Sequence, residues 1–156
     1  MLEDNSLPLA STQKRMTSFV IDDIIIAVLL LVIFYEQLMQ LSAQFPISVT
    51  IESYMEFNDK IKHFFASNLL TIVLLKILYH TFFIWQNGMT LGKYFMKIEV
   101  IELETRQNPS FIKALLRAGL RLMSEVFFYL GFLLAFFLPL KQTLHDKLSG
   151  CVVVDA

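Results

Sequence analysis

The sequence predicts an α-helical membrane protein: two to three transmembrane helices, an amphipathic or re-entrant helical region towards the C-terminus, and a small β pairing of residues 96–103 with 151–154. Three observations predict it. Of 156 residues, 56% are apolar and only 17% charged, against roughly 45–50% and about 25% in soluble domains, and the mean hydropathy is +0.60. The apolar residues gather in three blocks, and Lys and Arg are spread unevenly between those blocks. A net charge of −1 lacks the basic stripe of a nucleic-acid-binding chain, so nucleic acid is not an expected partner. Five Gly, four Pro and a single Cys exclude collagen-like and disulfide-stapled classes.

In chain order, a leader (1–15) precedes one membrane domain (16–154) with spans at about 16–40, 63–86 and 123–140. Crossing about 30 Å of hydrocarbon takes about 20 mostly apolar residues. The first block reaches that length only by including Asp22 and Asp23, and the second only by including Lys76. The third, Val126–Leu140, carries no charge but is short. A soluble bundle would show polar residues recurring along one face of each helix. Ile24–Tyr35 is instead apolar all the way round, and a chain this short cannot bury several such helices in one core. Glu3 and Asp4 make the leader a poor signal peptide, so the first block reads as a retained anchor.

Orientation follows from the basic residues beside the spans. Lys93, Lys97, Arg106, Lys113, Arg117 and Arg121 lie between the second and third blocks, whereas residues 41–62 hold only Lys60 and Lys62 beside Glu52, Glu56 and Asp59. The N-terminus and the basic middle segment are therefore expected in the cytoplasm. Trp85 and Tyr35 suit the aromatic belts at opposite interfaces.

Between the spans, Gly88-Met-Thr-Leu-Gly92-Lys93 lacks the spacing of a phosphate loop, and its glycines are expected to end the second span in a tight turn. Met96–Val100 alternates apolar and charged residues and reads as a half-buried strand. Cys151–Val154 reads as its partner, since neither is long enough to stand alone. Ser110 is expected to cap the following helix. There Lys113, Arg117, Arg121 and Glu125 recur every four residues. A basic helix lying on the cytoplasmic leaflet accounts for this stripe; the alternative is entry into the membrane with Arg121 and Glu125 paired. Three full crossings would place the C-terminus outside and forbid the strand pairing, so a cytoplasmic C-terminus is favoured.

Ionisable groups in hydrocarbon are costly and are paired or functional. Asp22 and Asp23 lie in the first span, with Asp22 on the face of Glu36 and Gln40; Lys76 and His80 are neighbours in the second. Antiparallel packing would let Asp22 or Asp23 pair with Lys76 or accept from His80. One reading is a neutralising pair that pins two helices. The other is a site that exchanges a proton for a small cation, because burial raises a carboxylate pKa while a nearby cation lowers it. His145 and Asp146 do not provide metal-ligand spacing, and neither a metal nor a cofactor is expected.

Arg15-Met-Thr-Ser-Phe-Val-Ile-Asp22, Gly88-Met-Thr-Leu-Gly92-Lys93 and His145-Asp146-Lys-Leu-Ser-Gly150-Cys-Val-Val-Val together resemble the RDD family of small bacterial membrane proteins. The family's arginine and two aspartates map to Arg15, Asp22 and Asp146; Asp23 matches no signature position, and Cys151 stands where members often carry Thr. The resemblance implies a bacterial plasma (inner) membrane location and a role in transport, with sodium/proton antiport reported for some members. It also implies that Arg15, Asp22 and Asp146 lie on one side of the bilayer.

The leading expectation is therefore a transporter exchanging small cations (Na+) for protons at Asp22, with Arg15 tuning its charge and Lys76 or His80 competing for it. Two or three spans cannot enclose a water-filled path, so this requires a homo-oligomer or a partner membrane protein. The alternative is a non-transporting scaffold or accessory subunit that binds a partner protein or anionic lipid. No nucleophile–base pair points to an enzyme.

Overall fold

The computed structural model describes residues 7–48, 50–126, 138 and 140–156. Its elements in order are α1 (Thr12–Ile33), α2 (Tyr35–Ala43), α3 (Ile51–Asn87), α4 (Leu91–Met96), β1 (Ile98–Glu102), α5 (Phe111–Val126), α6 (Leu144–Leu148) and β2 (Cys151–Asp155). Two of them, α1 and α3, are long and apolar enough to cross a membrane. Most of the expected third span, 123–140, lies outside the described residues.

The chain divides into two compact units, one of residues 1–24 and 76–156, the other of residues 25–75. In the second unit the first expected span, 16–40, does not run as one helix. It breaks at Phe34 (φ −100°, ψ 16°), although backbone bonds continue across the break from Phe34 to Leu30 and from Leu38 to Phe34. Glu36 and Gln40 thus belong to α2, and the face they were expected to share with Asp22 is interrupted. The second expected span is longer than 63–86: α3 has 37 residues, about 55 Å at 1.5 Å per residue. Its extra N-terminal turns carry the exposed pairs Lys60–Glu56 (2.8 Å) and Lys62–Asp59 (3.0 Å). Phe34 and Phe64 meet edge to face at 5.6 Å, and Asn68 Nδ2 donates to Gln37 Oε1 at 3.0 Å.

The first unit is organised by the sheet. β1 and β2 pair antiparallel from Ile98↔Asp155 to Glu102↔Cys151, within the expected 96–103 and 151–154. The first strand starts only at Ile98 because Met96 ends α4 and Lys97 caps it in the left-handed conformation at φ 53°. The strand was expected to be half-buried; instead both faces are covered. Ile98, Val100, Cys151 and Val153 pack with Ala10, Ile84 and Ala114, and Ile101, Val152 and Val154 pack with Leu7, Leu9, Leu103 and Leu140. The leader is part of this cap. Leu9 bridges to Val154, Ala10 N–H donates to Val153 O at 3.2 Å, and Asp155 N–H donates to Pro8 O at 2.7 Å. Residues 8–10 are thereby held along β2, which pairs with β1.

Candidate functional site: a buried ionic cluster

Along α1 the usual distribution of side chains is reversed. Ser18 and Asp22 are fully buried, whereas Met16, Val20, Ile24, Val28 and Val32 are exposed. Lipid suits that arrangement, because hydrocarbon accepts apolar side chains outside and penalises polar ones that are not matched inside.

The carboxylate of Asp22 is held by three donors. Tyr79 Oη donates to Oδ1 at 2.8 Å, Thr90 Oγ1 donates to Oδ2 at 2.6 Å, and the backbone N–H of Gly92 donates to Oδ1 at 2.9 Å. The Gly88–Lys93 segment builds this receptor. Gly88, at φ +69°, lets the chain turn after α3. Thr90 then caps α4 by accepting from Lys93 N–H. Gly92 lies so close to α1 that a Cβ there would meet Ser18 O at 2.2 Å and Asp22 Cγ at 2.9 Å. The segment is a latch between α4 and α1 as well as the tight turn expected.

Asp146 occupies a second nest. It closes a capping box with Thr143 at the start of α6 and accepts from Arg117 Nε at 2.9 Å and from Arg117 Nη2. Arg15 Nη1 approaches it at 3.5 Å and also donates to Lys141 O at 2.5 Å, while Arg15 Nη2 donates to Val153 O at 2.8 Å. Burial alone would raise the Asp146 pKa, but the Arg117 and Arg15 guanidiniums outweigh it and hold the carboxyl well below the ordinary range. His145, buried beside these cations, is pushed down to about 3 and is neutral. Arg15 therefore serves Asp146 and ties α1 to the cap; it does not sit on Asp22 as expected.

A third group joins the spans to α5. Lys76 Nζ pairs with Glu125 Oε2 at 2.6 Å. Arg121 reaches Asp23 Oδ1 and Glu125 Oε1, each at 3.3 Å, and lies 4.4 Å over the Phe19 ring. The expected pairing of Lys76 with Asp22 or Asp23 is not found: Glu125 captures the lysine, and Arg121 takes Asp23. His80 does not donate to Asp22 either. Its ring packs against Tyr79 at 5.0 Å, and its Nε2 has no hydrogen-bond partner among the described residues.

The expectation for α5 is also corrected. Its charged stripe does not face a leaflet: Lys113 bonds Glu102 at 2.9 Å, and Arg117 and Arg121 are only 7% and 6% exposed. The outer face is apolar, with Ile112 77% exposed alongside Leu115, Leu116 and Met123. The alternative pairing of Arg121 with Glu125 is present. Tyr79, Thr90 and the backbone of Gly92 are site groups that sequence reasoning missed. The Gly88–Lys93 signature was visible, but nothing in it announced an aspartate acceptor on a distant helix.

The RDD family model matches residues 9–150. The chain belongs to the RDD family. This RDD protein is 32% identical over 103 residues to an uncharacterized protein of Rickettsia prowazekii (strain Madrid E), a match covering 66% of the chain and 53% of that relative. The RDD chain thus spans about half the length of the curated relative it matches. No solved structure matches it. Family membership and two helices of suitable length and apolarity point to a membrane location.

Proposed function

We propose that α1 and α3 cross the bacterial inner membrane with both ends of the chain on the cytoplasmic side, and that the protein acts there as a non-transporting accessory subunit holding a partner membrane protein. The crowding of Lys and Arg into residues 93–121 supports the orientation. The pairing of residues 8–10 with β2 supports a shared side for the two ends. The outward apolar faces of α1 and α5 support lipid on both, with α5 lying at the membrane boundary.

The observation that carries the accessory reading is the saturation of Asp22. An exchange site must alternate between a proton and a cation, so at least one carboxylate oxygen has to open to a water path. Here both oxygens are engaged by donors on α3 and α4, and the side chain is 0% exposed. Such an aspartate fastens elements together.

Cation–proton exchange at Asp22 is the second reading, favoured by the partly buried chain of Asp23, Arg121, Glu125 and Lys76. It requires a homo-oligomer or partner to complete a polar path. Cation-driven proton flux in proteoliposomes of wild type and Asp22→Asn separates the two. The accessory reading expects equal, negligible flux in both, with the variant less stable. Flux that depends on Na+ and vanishes in Asp22→Asn would overturn it in favour of exchange.

A further inference from the structure

Lys93 is a lysine of the cluster that the ion pairs among the described residues do not use. It follows Gly92 on α4 and is 7% exposed. The charged and titratable groups that act on it electrostatically are Asp22 on α1, His80 on α3, Arg117 and Arg121 on α5, and His145 and Asp146 on α6. The ion pairs employ Arg15, Lys76, Arg117 and Arg121; none employs Lys93 among the described residues. Nearby carboxylates are already taken, Asp22 by three donors and Asp146 by Arg117, Arg15 and Thr143.

Charge matching leads to the same residue. Thr90 Oγ1 accepts from Lys93 N–H and gives its own hydrogen to Asp22, and Tyr79 gives its hydrogen to Asp22 as well. Asp22 therefore accepts in the three hydrogen bonds that hold it. Arg15, Lys76, Arg117 and Arg121 then balance Asp22, Asp23, Glu125 and Asp146. A neutral Lys93 keeps that balance, and an ammonium adds a buried charge with no counter-ion in contact, which is costly. Burial first and the Arg117 guanidinium second pull the amine down to about 7, with Asp22 opposing them.

We infer that Lys93 is a proton-binding site: its ε-amine is held neutral by burial without an ion-pair partner, and on acidification its lone pair takes a proton from water, the resulting charge being favoured by Asp22. Asp22 is the carboxylate of this cluster with no cation in ion-pair contact among the described residues. Thr90 and Gly92 hold that same carboxylate, so proton uptake bears on the latch between α4 and α1. This goes beyond the accessory reading and holds whether or not cations are moved.

The test is a pH titration of the full chain in lipid nanodiscs with [13Cε]lysine labelling, followed by NMR. The Lys93 signal is identified by its loss in Lys93→Arg, and independently in Lys93→Met should one variant fail to fold. The expected result is a midpoint within about one pH unit of 7, with exposed lysines titrating near 10.4. Asp22→Asn is expected to move the Lys93 midpoint lower by removing the anion that favours the ammonium. A Lys93 midpoint above about 9, or no titration down to about pH 5, would overturn the proposal; so would a midpoint unmoved by Asp22→Asn. A lysine with a merely structural role has no reason to titrate near neutrality or to answer to Asp22.

Discussion

The two units of the chain treat polarity in opposite ways. In residues 76–156 and 1–24, aspartates, arginines and a lysine are buried and nearly all matched, while leucines and isoleucines of α1 and α5 face outward. In residues 25–75, charges of α3 lie at the surface in short-range pairs, α2 buries no residue, and the contacts include aromatic edges and a side-chain hydrogen bond between Asn68 and Gln37. The first unit is specified by directional bonds whose loss cannot be repaired by water. The second is specified by apolarity and helix length, which many sequences satisfy. Chemistry that depends on particular residues belongs in the first.

Four substitutions and one change of conditions sharpen this contrast, in order of falling effect. Arg117→Ala strips Asp146 of its two closest ionic bonds and leaves a buried anion, so it should cost about 3–5 kcal/mol, read from chemical denaturation in mild detergent. Gly92→Ala drives a methyl group into Ser18 O and Asp22. It should cost about 1–3 kcal/mol and increase hydrogen exchange at the α4 amides. Tyr79→Phe removes one donor to Asp22 and leaves the two others, a loss of about 1–3 kcal/mol by the same denaturation assay. A loss as large as that of Arg117→Ala would show that Tyr79 does more than donate.

Acid should act late on the first unit. Asp146 titrates below its unfolded value of 3.8. Its stabilisation is therefore complete above pH 3.8 and fades only as the pH falls towards the folded value. Far-ultraviolet circular dichroism against pH, with Arg117→Ala as the control, reads this; loss of the Asp146 contribution above pH 5 would contradict it. Least of all, Lys60→Ala in the second unit should leave the denaturation midpoint unchanged, because exposed pairs contribute little.

Apolarity and strand alternation made the two long apolar helices and the β pairing legible, since both depend on local pattern. The sheet could be anticipated because Met96–Val100 and Cys151–Val154 were each too short to persist unpaired. The inside-out character of α5 could not. The same four-residue recurrence of Lys113, Arg117, Arg121 and Glu125 describes a stripe facing a leaflet or one facing the protein, and only Asp146, Asp23 and Glu102 on other elements decide between them. Likewise Asp22 was found as a buried acid, but its partners come from residues 57 to 70 positions away. Antiparallel packing alone offered Lys76 as its neighbour; Glu125 on a third helix removed it from contention.

The stitching of Pro8 and Leu9 onto β2 has a consequence for folding. Residues 8–10 take their bonds from Val153, Val154 and Asp155, far along the chain, and contacts of such long sequence separation form slowly. Until those bonds form, Leu7, Leu9 and the valines of β2 lack one another's cover. The cap therefore closes late, and whatever shields those apolar residues in the interval would set the yield of folded chain.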